Sequence, residues 1–453
     1  MNRRKLPFWG AILSAVLFSA VQAQTTNVSK QVEARTGHRL NPAAKPVGFA
    51  LPEGVSLDDG VSEDEAVAIA LWNNPALQAE LAALGLARAD VIEAGQLRNP
   101  NLTLILPFSV RVLEAVALWP FDVLWQRPHR VAAAKLELNR TEETLAAMAL
   151  DLVRDVRLAY ADALLAESRS RIAAQAARER NEIAVIVNAQ FRVGEISELE
   201  TNASRLDASL AAEQAGRFAN DVSLARIRLH ALLGFGTSAQ SFQLAPTSTS
   251  ATPVTPALTV ALPANATADP INELIKQAFE ARPELKAAEL AIEAAGQRAK
   301  WERSKILVVS AIAKEYGKGV NGFEQGPGLM IDLPIFNRNG GAISRAETDI
   351  ERAAKQLAAA RHRVAMEVQQ AYAQLEQERQ SLERWRMTVQ PQTREELRRA
   401  ERAYAAGDVA YLLVLQTAQR HTDAQLREVE LQAAQARAAA NLERSIGRRL
   451  IGK

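Results

Sequence analysis

The segment GGAISRAETDIERAAKQLAAARHRVAMEVQQAYAQL, residues 340–375, places its larger apolar side chains at a regular spacing. Three steps of seven residues are followed by one of four, at Ile343, Ile350, Leu357, Val364 and Val368. A seven-residue repeat predicts a long α-helix in a left-handed coiled coil, and an inserted step of four locally unwinds the supercoil. We therefore expect a nearly straight bundle of antiparallel helices.

The same interrupted pattern occurs a second time, in HRVAAAKLELNRTEETLAAMALDLVRDVRLAYADAL, residues 129–164. Its positions match the other segment at an offset of 212 residues. Further pieces repeat in the same order, namely NNPAL around Pro75 with RPEL around Pro283, and the glycine breaks at Gly194 and Gly407. Self-similarity of this kind indicates a duplicated unit of roughly 210 residues.

The duplication sets the domain organisation. The two repeats cover residues 61–236 and 271–449, and a Thr/Ser/Pro/Ala-rich connector joins them over 237–270. Residues 24–60 carry no clear pattern and are expected to be poorly structured. Residues 1–23 combine a basic start, a short apolar run and small residues, which predicts a secretory signal peptide. The alternative is a membrane anchor, but the run is shorter than the roughly 20 residues that span a bilayer.

Each repeat reads as helix, strand hairpin, long helix, turn and long helix. In NLTLILPF and GLMIDLPIF, apolar side chains alternate with other residues, and this period of two predicts β-strands. We expect strand hairpins from Asn101 to Trp125 and from Ile306 to Phe336. The helix from Val131 to Phe191 would be about 90 Å long at 1.5 Å per residue. The predicted fold class is mostly α with a small β part.

Composition excludes several classes of function. The chain has no cysteine, so it has neither disulfides nor thiolate metal ligands, and its 54 basic and 52 acidic residues argue against nucleic acid as a partner. The five histidines are scattered without a second ligand at metal-binding spacing, so we expect no dedicated metal site and no cofactor. No Ser/His/Asp set stands out, so we do not expect an enzyme.

Four apolar-faced strands are too few for a membrane barrel, which needs about eight or more. Three copies of the chain would supply twelve strands, enough for a barrel with an aqueous lumen. The outward side chains would then contact lipid. The long helices would continue the wall of the barrel into the periplasm.

The residues described so far carry a resemblance to a known family. The NNPAL and RPEL openings, the segment LPIFNRNGGAISRAE and the paired glycine turns resemble the TolC-type outer membrane efflux family over about residues 61–447. LPIFNRN further resembles its heavy-metal branch, which serves cobalt-zinc-cadmium and copper-silver efflux. The resemblance implies a homotrimer in the outer membrane of a Gram-negative bacterium, with a 12-stranded barrel and a periplasmic helical tunnel. It also implies two partners, a periplasmic adaptor (membrane fusion) protein and an inner membrane pump of the resistance-nodulation-division type.

The resemblance assigns the hairpin ends to adaptor docking. The docking residues would be Phe191, Val193, Gly194, Tyr404, Gly407 and Val409. The alternative for the two aromatic rings is that they only cap the end of the coiled coil.

The resemblance also implies a gate at the periplasmic end of the tunnel. Family members narrow that end with acidic side chains six and nine residues after the second turn glycine, where this chain has Leu413 and Gln416. The nearest acidic candidates are Asp408 and Glu200, for which ordinary solvated helix-end charges are the alternative.

Proline interrupts one of the two long helices. Pro391 lies inside the second one, where the first has Glu179 at the offset of 212. Proline removes a backbone hydrogen bond, so a kink or break is expected near Gln390. The kink could be a static bend, or it could make the second hairpin the movable one.

A periplasmic adaptor or a coiled-coil scaffold is the alternative function, and carbonate extraction distinguishes either from an integral membrane protein.

Overall fold

The structure is a computed structural model that describes residues 28–40, 49–106, 114–236, 243–245, 270–319 and 322–449. The expected signal peptide over 1–23 and most of the expected connector over 237–270 lie outside these residues. The described part is mostly helical and contains a four-stranded antiparallel sheet. This confirms the predicted fold class of long helices with a small β part.

The elements follow the predicted order in both repeats. Helix α1, over 28–36, precedes the first repeat, which has α2 Glu63–Asn73, α3 Pro75–Gly95, β1 Asn101–Ile105, β2 Glu114–Pro120, α4 Val123–Arg192 and α5 Glu198–Leu233. The second has α6 Pro270–Ala281, α7 Pro283–Ser304, β3 Val308–Gly319, β4 Gly322–Asp332, α8 Gly340–Arg384, α9 Gln390–Ala405 and α10 Tyr411–Ile446. A π-helical segment, Trp385–Val389, lies between α8 and α9.

Contacts divide the chain into two compact units. The first unit comprises residues 1–78, 148–282 and 364–453, and it contains the ends of both helical hairpins. The second comprises 79–147 and 283–363, and it contains the sheet.

The sheet has the strand order β1-β2-β3-β4, so the two predicted strand hairpins pair with each other through β2 and β3. Residues that are directly paired share a face of the sheet. One face carries Leu102, Leu104, Trp119, Ala311, Leu329 and Ile331, whereas the other carries Thr103, Ser310, Lys314 and Asp332. The register therefore reproduces the predicted alternation of an apolar face with a mixed one.

The NNP and RP motifs serve as docking points for the last helix of each repeat. In the first repeat, Asn74 Nδ2 donates a hydrogen bond of 3.0 Å to the carbonyl oxygen of the residue two before Gly234. In the second, Arg282 Nη1 donates one of 3.4 Å to the carbonyl oxygen of the residue two before Gly447. Both glycines end their helices with positive φ, 78° and 83°. The repeat therefore closes in the same way twice, with an amide in one copy and a guanidinium in the other.

Residues 24–60, expected to be poorly structured, contain α1 in the described part. Val28 and Val32 of this helix are fully buried. The backbone N–H of Arg449 donates to the carbonyl of Arg35 at 3.1 Å, and Arg35 Nε donates to the carbonyl of Ala281 at 3.2 Å. Two small apolar side chains four residues apart were too weak a pattern to predict this helix.

An ion-pair cluster with a buried Arg157–Glu443 centre and half-exposed outer carboxylates ties α2, α4 and α10 together in the first unit. Arg157 on α4 pairs with Glu443 on α10 and lies 3.2 Å from a carboxylate oxygen of Glu63. Arg449 pairs with the neighbouring Asp64 at 2.9 Å. Burial raises the pKa of Glu63 although the Arg157 charge opposes the shift. Since a buried charge is costly without a partner, this cluster makes the association of the three helices specific.

Candidate functional surfaces: the hairpin ends and the sheet face

Both helical hairpins reverse at a glycine with the same hydrogen bonds. Gly194 and Gly407 each have a φ of 80°, a left-handed conformation that favours glycine. The N–H of Gly194 donates to the carbonyl of Phe191 at 3.0 Å, and the N–H of Gly407 donates to that of Tyr404 at 2.9 Å. The next amide in each hairpin bonds to the carbonyl five residues before it, at 3.0 and 2.9 Å. This is the Schellman arrangement that ends a helix and satisfies its last carbonyls.

The residues predicted for adaptor docking differ in exposure between the two ends. Val193 is 71% exposed and Phe191 is 38% exposed, so the first hairpin presents apolar side chains to solvent. Tyr404 and Val409 are half-buried, and the Tyr404 ring lies 5.7 Å from that of Tyr411. The packing of Tyr404 agrees with the capping alternative, whereas the exposure of Phe191 leaves its ring available to a partner.

An apolar cluster packs the two hairpins side by side near these ends. Its buried members are Val187, Ala400, Tyr411, Val414 and Leu415. They come from α4, α9 and α10, and Ile183, Ile196 and Tyr404 pack against them. Burial raises the pKa of Tyr411 above its ordinary value, so the phenol stays neutral.

The gate candidates occupy ordinary positions at helix starts and on exposed faces. Glu200 belongs to a capping box, because its N–H donates to Ser197 Oγ at 3.3 Å and its carboxylate accepts from the Ser197 N–H at 3.2 Å. Asp408, Leu413 and Gln416 are exposed. The capping role agrees with the helix-end alternative for Glu200. A part in narrowing a pore stays a prediction for all four.

A buried polar contact that sequence reasoning missed joins three helices behind the hairpin ends. Asp207 on α5 is 5% exposed. It accepts from Gln419 Nε2 of α10 at 2.8 Å, and one of its oxygens lies 3.4 Å from Arg180 Nε of α4. Asp207 and Gln419 lie on the return helices of the two repeats, one position out of step with the 213-residue offset that relates Gly194 to Gly407. Sequence reasoning missed this contact because no spacing within α5 or α10 marks a single polar side chain as buried.

The helix around Pro391 is irregular at the place where the sequence predicts a kink. The π-helical segment Trp385–Val389 ends next to Gln390, whose N–H donates to the carbonyl of Trp385. Trp385 Nε1 in turn donates to the carbonyl of Ala424 on α10 at 3.2 Å. In the first repeat, α4 continues through Glu179 without such a segment. The size of the bend at Pro391 stays a prediction.

The apolar face of the sheet is exposed. Leu102, Leu104, Leu329, Ile331 and Leu333 are between 48% and 70% exposed. Monomeric soluble proteins rarely leave a contiguous apolar surface of this kind open. The edge strands β1 and β4 are each paired on one side in the sheet, which leaves their outer edges available to further strands.

No metal centre occurs in the part of the chain that the structure describes, where no group of three or more His, Cys, Asp or Glu side chains could hold an ion. Within the same ranges, none of the helices combines the length and the apolar character needed to cross a membrane.

Comparisons with known proteins agree with this architecture. Residues 274–448 match the family model of the outer membrane efflux protein family. The cobalt-zinc-cadmium resistance protein CzcC of Cupriavidus metallidurans is 24% identical over 389 residues, which cover 84% of this chain and 89% of CzcC.

Solved structures share the fold. CusC, described as forming a transmembrane channel, matches with a TM-score of 0.70 at 20% identity, over 90% of this chain and 98% of the CusC chain. The outer membrane protein VceC of Vibrio cholerae matches with a TM-score of 0.67 at 19% identity, over 86% and 97% of the two chains. The family match covers the second repeat, and the similarity to CzcC and to the solved structures extends over most of the chain.

Proposed function

We propose that the protein is the outer membrane channel of a tripartite efflux system and serves as a passive exit duct for substrates that a pump and an adaptor deliver. The observation that carries the proposal is the similarity to CzcC, which extends over 84% of the chain rather than over one motif. A duct needs no catalytic group, and the sequence offers none.

The sheet supports an assembly of three chains. Each chain contributes four strands with one exposed apolar face and two open edges, and neither feature is stable alone in water. Joining β1 of one copy to β4 of the next closes a 12-stranded barrel without edges. The apolar face then contacts lipid, and the face with Thr103, Lys314 and Asp332 lines the lumen.

The hairpin ends support docking of a periplasmic adaptor, which an inner membrane pump of the resistance-nodulation-division type would feed. Val193 and Phe191 are exposed on a well-defined glycine turn, and a second turn of the same geometry follows at Gly407. A rigid, partly apolar helix end suits recognition by another helical hairpin.

Heavy-metal cations are the cargo that the similarity to CzcC favours. The described residues hold no metal cluster, which fits a conduit that ions pass through rather than one that retains them.

One experiment tests membrane insertion through the two faces of β4. From the sequence alone, Ile331 would be the residue to place near the middle of the membrane. In the sheet it pairs with Val309, one residue from the start of β3, so Leu329 lies nearer the centre of the apolar face. Leu329→Arg should cost about 2–4 kcal/mol at the midplane and reduce the yield of membrane-inserted trimer. Met330→Arg, on the opposite face of the same strand, is the matched control and should insert.

Equal, carbonate-resistant yields of both variants would contradict the barrel. Extraction of the unmodified protein by carbonate would instead favour the alternative of a periplasmic adaptor or scaffold.

A second experiment tests export. In a host that lacks its own outer component but holds the pump and adaptor, the chain should restore growth in cobalt, zinc or cadmium. Gly407→Pro cannot adopt a φ of 80° and removes the amide that bonds to Tyr404, so it should abolish resistance while the trimer still inserts. Full resistance in that variant would show that the hairpin end is not the docking end.

A further inference from the structure

The loop between β4 and α8 exposes an unusual amount of apolar surface. Phe336 is 100% exposed, and Leu333 and Ile335 are 70% and 65% exposed. The loop is nevertheless held in shape, because the N–H of Ile335 donates to the carbonyl of Leu333 at 2.8 Å and Asn339 Nδ2 donates to the carbonyl of Glu302 at 2.9 Å. Among the described residues of this chain, the phenyl ring therefore has no cover although its backbone is fixed.

Tryptophans gather at the same end of the sheet. Of six in the chain, three lie here. Trp119 is on the apolar face near the end of β2 and pairs with Ala311. Trp125 Nε1 donates to the carbonyl of Ser304 at 3.2 Å, and the ammonium of Lys305 lies 3.7 Å from the centre of the Trp301 ring. Tryptophan concentrates at the boundary between lipid and water, where an apolar ring and a polar N–H are both satisfied.

Positive charge is concentrated in the segments next to these rings. Eight Lys or Arg but only three Asp or Glu occur in the adjoining segments 96–100, 121–130, 300–307 and 333–347. In the whole chain the two classes are nearly equal, with 54 basic and 52 acidic residues. Arg338, two residues beyond Phe336, is exposed. A local excess of cations beside exposed rings is complementary to anionic phosphate groups that lie above an apolar layer.

We propose that the loop Leu333–Phe336 inserts into the boundary of the phospholipid leaflet that faces the periplasm, with neighbouring cations such as Arg338 against the lipid phosphates. The inference rests on the proposed function, since it assumes that the sheet is in a membrane. Lipid rather than a second subunit is the occupant, because Leu333 continues the apolar face of Leu329 and Ile331 without a break in alternation. The loop thereby sets the depth at which the barrel sits.

The absence of cysteine from the sequence makes a direct depth measurement simple, since one introduced thiol is the sole labelling site. Phe336→Cys and Leu329→Cys, each labelled with an environment-sensitive fluorophore, are reconstituted as full-length trimers in vesicles of phosphatidylethanolamine and phosphatidylglycerol. Spin-labelled lipids with the label near the headgroup or near the chain end then quench the fluorophore. Met387→Cys, 77% exposed on the π-helical segment, is the control outside the membrane.

The label at position 336 should be quenched more by the shallow spin label, the one at 329 more by the deep label, and the one at 387 by neither. If position 329 is quenched and position 336 is not, a protein surface covers the loop and the inference fails while the channel proposal stands. Quenching of position 336 mainly by the deep label overturns the boundary assignment as well. If position 329 is not quenched either, the sheet is not in the membrane and the proposed function itself fails.

Discussion

The two helical hairpins, α4–α5 and α8–α10, derive from one duplicated pattern and end in the same glycine turn, yet they are stabilised differently. The first rises in one uninterrupted helix and begins its return with the Ser197–Glu200 capping box. The second is interrupted by the π-helical segment Trp385–Val389, and its return helix begins at Tyr411, where Ala410 in the capping position provides no side-chain cap.

The comparison indicates which hairpin can move. The first hairpin adds the Ser197–Glu200 capping box to the shared glycine turn, whereas in the second the rings of Tyr404 and Tyr411 pack beside that turn. Tertiary contacts can be exchanged in a conformational change more readily than a helix can be bent. We therefore expect the first hairpin to act as the frame and the second as the part that responds to a partner.

The largest expected effect comes from breaking the buried ion pair that joins α4 to α5 within the first hairpin. Asp207→Asn keeps the shape of the side chain but leaves the Arg180 guanidinium, which is 11% exposed, without its negative partner. Breaking a buried ion pair on one side costs about 3–5 kcal/mol, so we expect a clear fall in the unfolding temperature of the protein.

Glu213→Gln on the same helix is the matched control for this change. Its ion pair with Arg217 is exposed on both sides, so the loss should stay below about 1 kcal/mol. Similar losses in the two variants would mean that the buried Arg180–Asp207 pair stabilises the fold no more than an exposed pair does.

Exchanging the proline between the repeats sharpens the comparison directly. Glu179→Pro places a proline in the uninterrupted α4 and should destabilise it by about 3 kcal/mol. Pro391→Ala should leave stability nearly unchanged but reduce single-channel conductance, because the second hairpin loses its bending point. Unchanged conductance, together with equal helix bends at the two positions, would leave Pro391 no part in gating.

The helix caps offer a smaller and cleaner contrast. Ser197→Ala removes the cap of α5 and should cost about 1 kcal/mol. Ala410 has nearly the same extended backbone as Ser197, with φ and ψ of −71° and 148°, so Ala410→Ser can add the missing cap to α10. Amide exchange should become faster over the first turn of α5 in one variant and slower over that of α10 in the other. A uniform change across both hairpins would contradict a local effect.

The smallest expected effect is the loss of stability at acid pH that one histidine of the second hairpin, His421, produces. Burial and the Arg394 charge lower the pKa of His421, while Glu179 on α4 and Glu401 on α9 oppose the shift. A histidine whose folded pKa is depressed stabilises the fold above its ordinary pKa of 6.5, and this contribution is lost as the pH falls through the lower folded value.

His421→Gln should therefore reduce the loss of stability between pH 7 and pH 5 by roughly 0.5 kcal/mol, since partial exposure screens the charge. Thermal unfolding at the two pH values measures this difference. A variant with the same pH dependence as the unmodified protein would exclude His421 as its source.

Much of the architecture of the two hairpins was visible in the sequence, because the seven-residue spacing and the glycine breaks repeat over tens of residues. The alternation in NLTLILPF and GLMIDLPIF likewise predicted strands and their outward faces. What the pattern could not give was the register, which pairs Ile331 with Val309, one residue from the start of β3.

Contacts between segments far apart in sequence were also beyond prediction. Nothing local marks Asp207 as buried, because its burial depends on α4 and α10 packing around it. The Arg157–Glu443 pair and α1 are similar cases, in which short polar or small-residue stretches become structured only through a distant partner.

The ion pairs made by α10 and by Arg449, just beyond its end, have a consequence for the order of folding. Arg449 bonds to Asp64, Arg444 to Asp151 and Arg437 to Asp162, over sequence separations of 385, 293 and 275 residues. Contacts between such remote segments form slowly, because a long loop must close before they stabilise anything. We expect that α2 and α4 remain protease-sensitive until the final helix has been released, which pulse proteolysis of a chain lacking α10 can check. Biogenesis would then be a post-translational event, with the newly exported polypeptide depending on chaperones until its own last segment arrives.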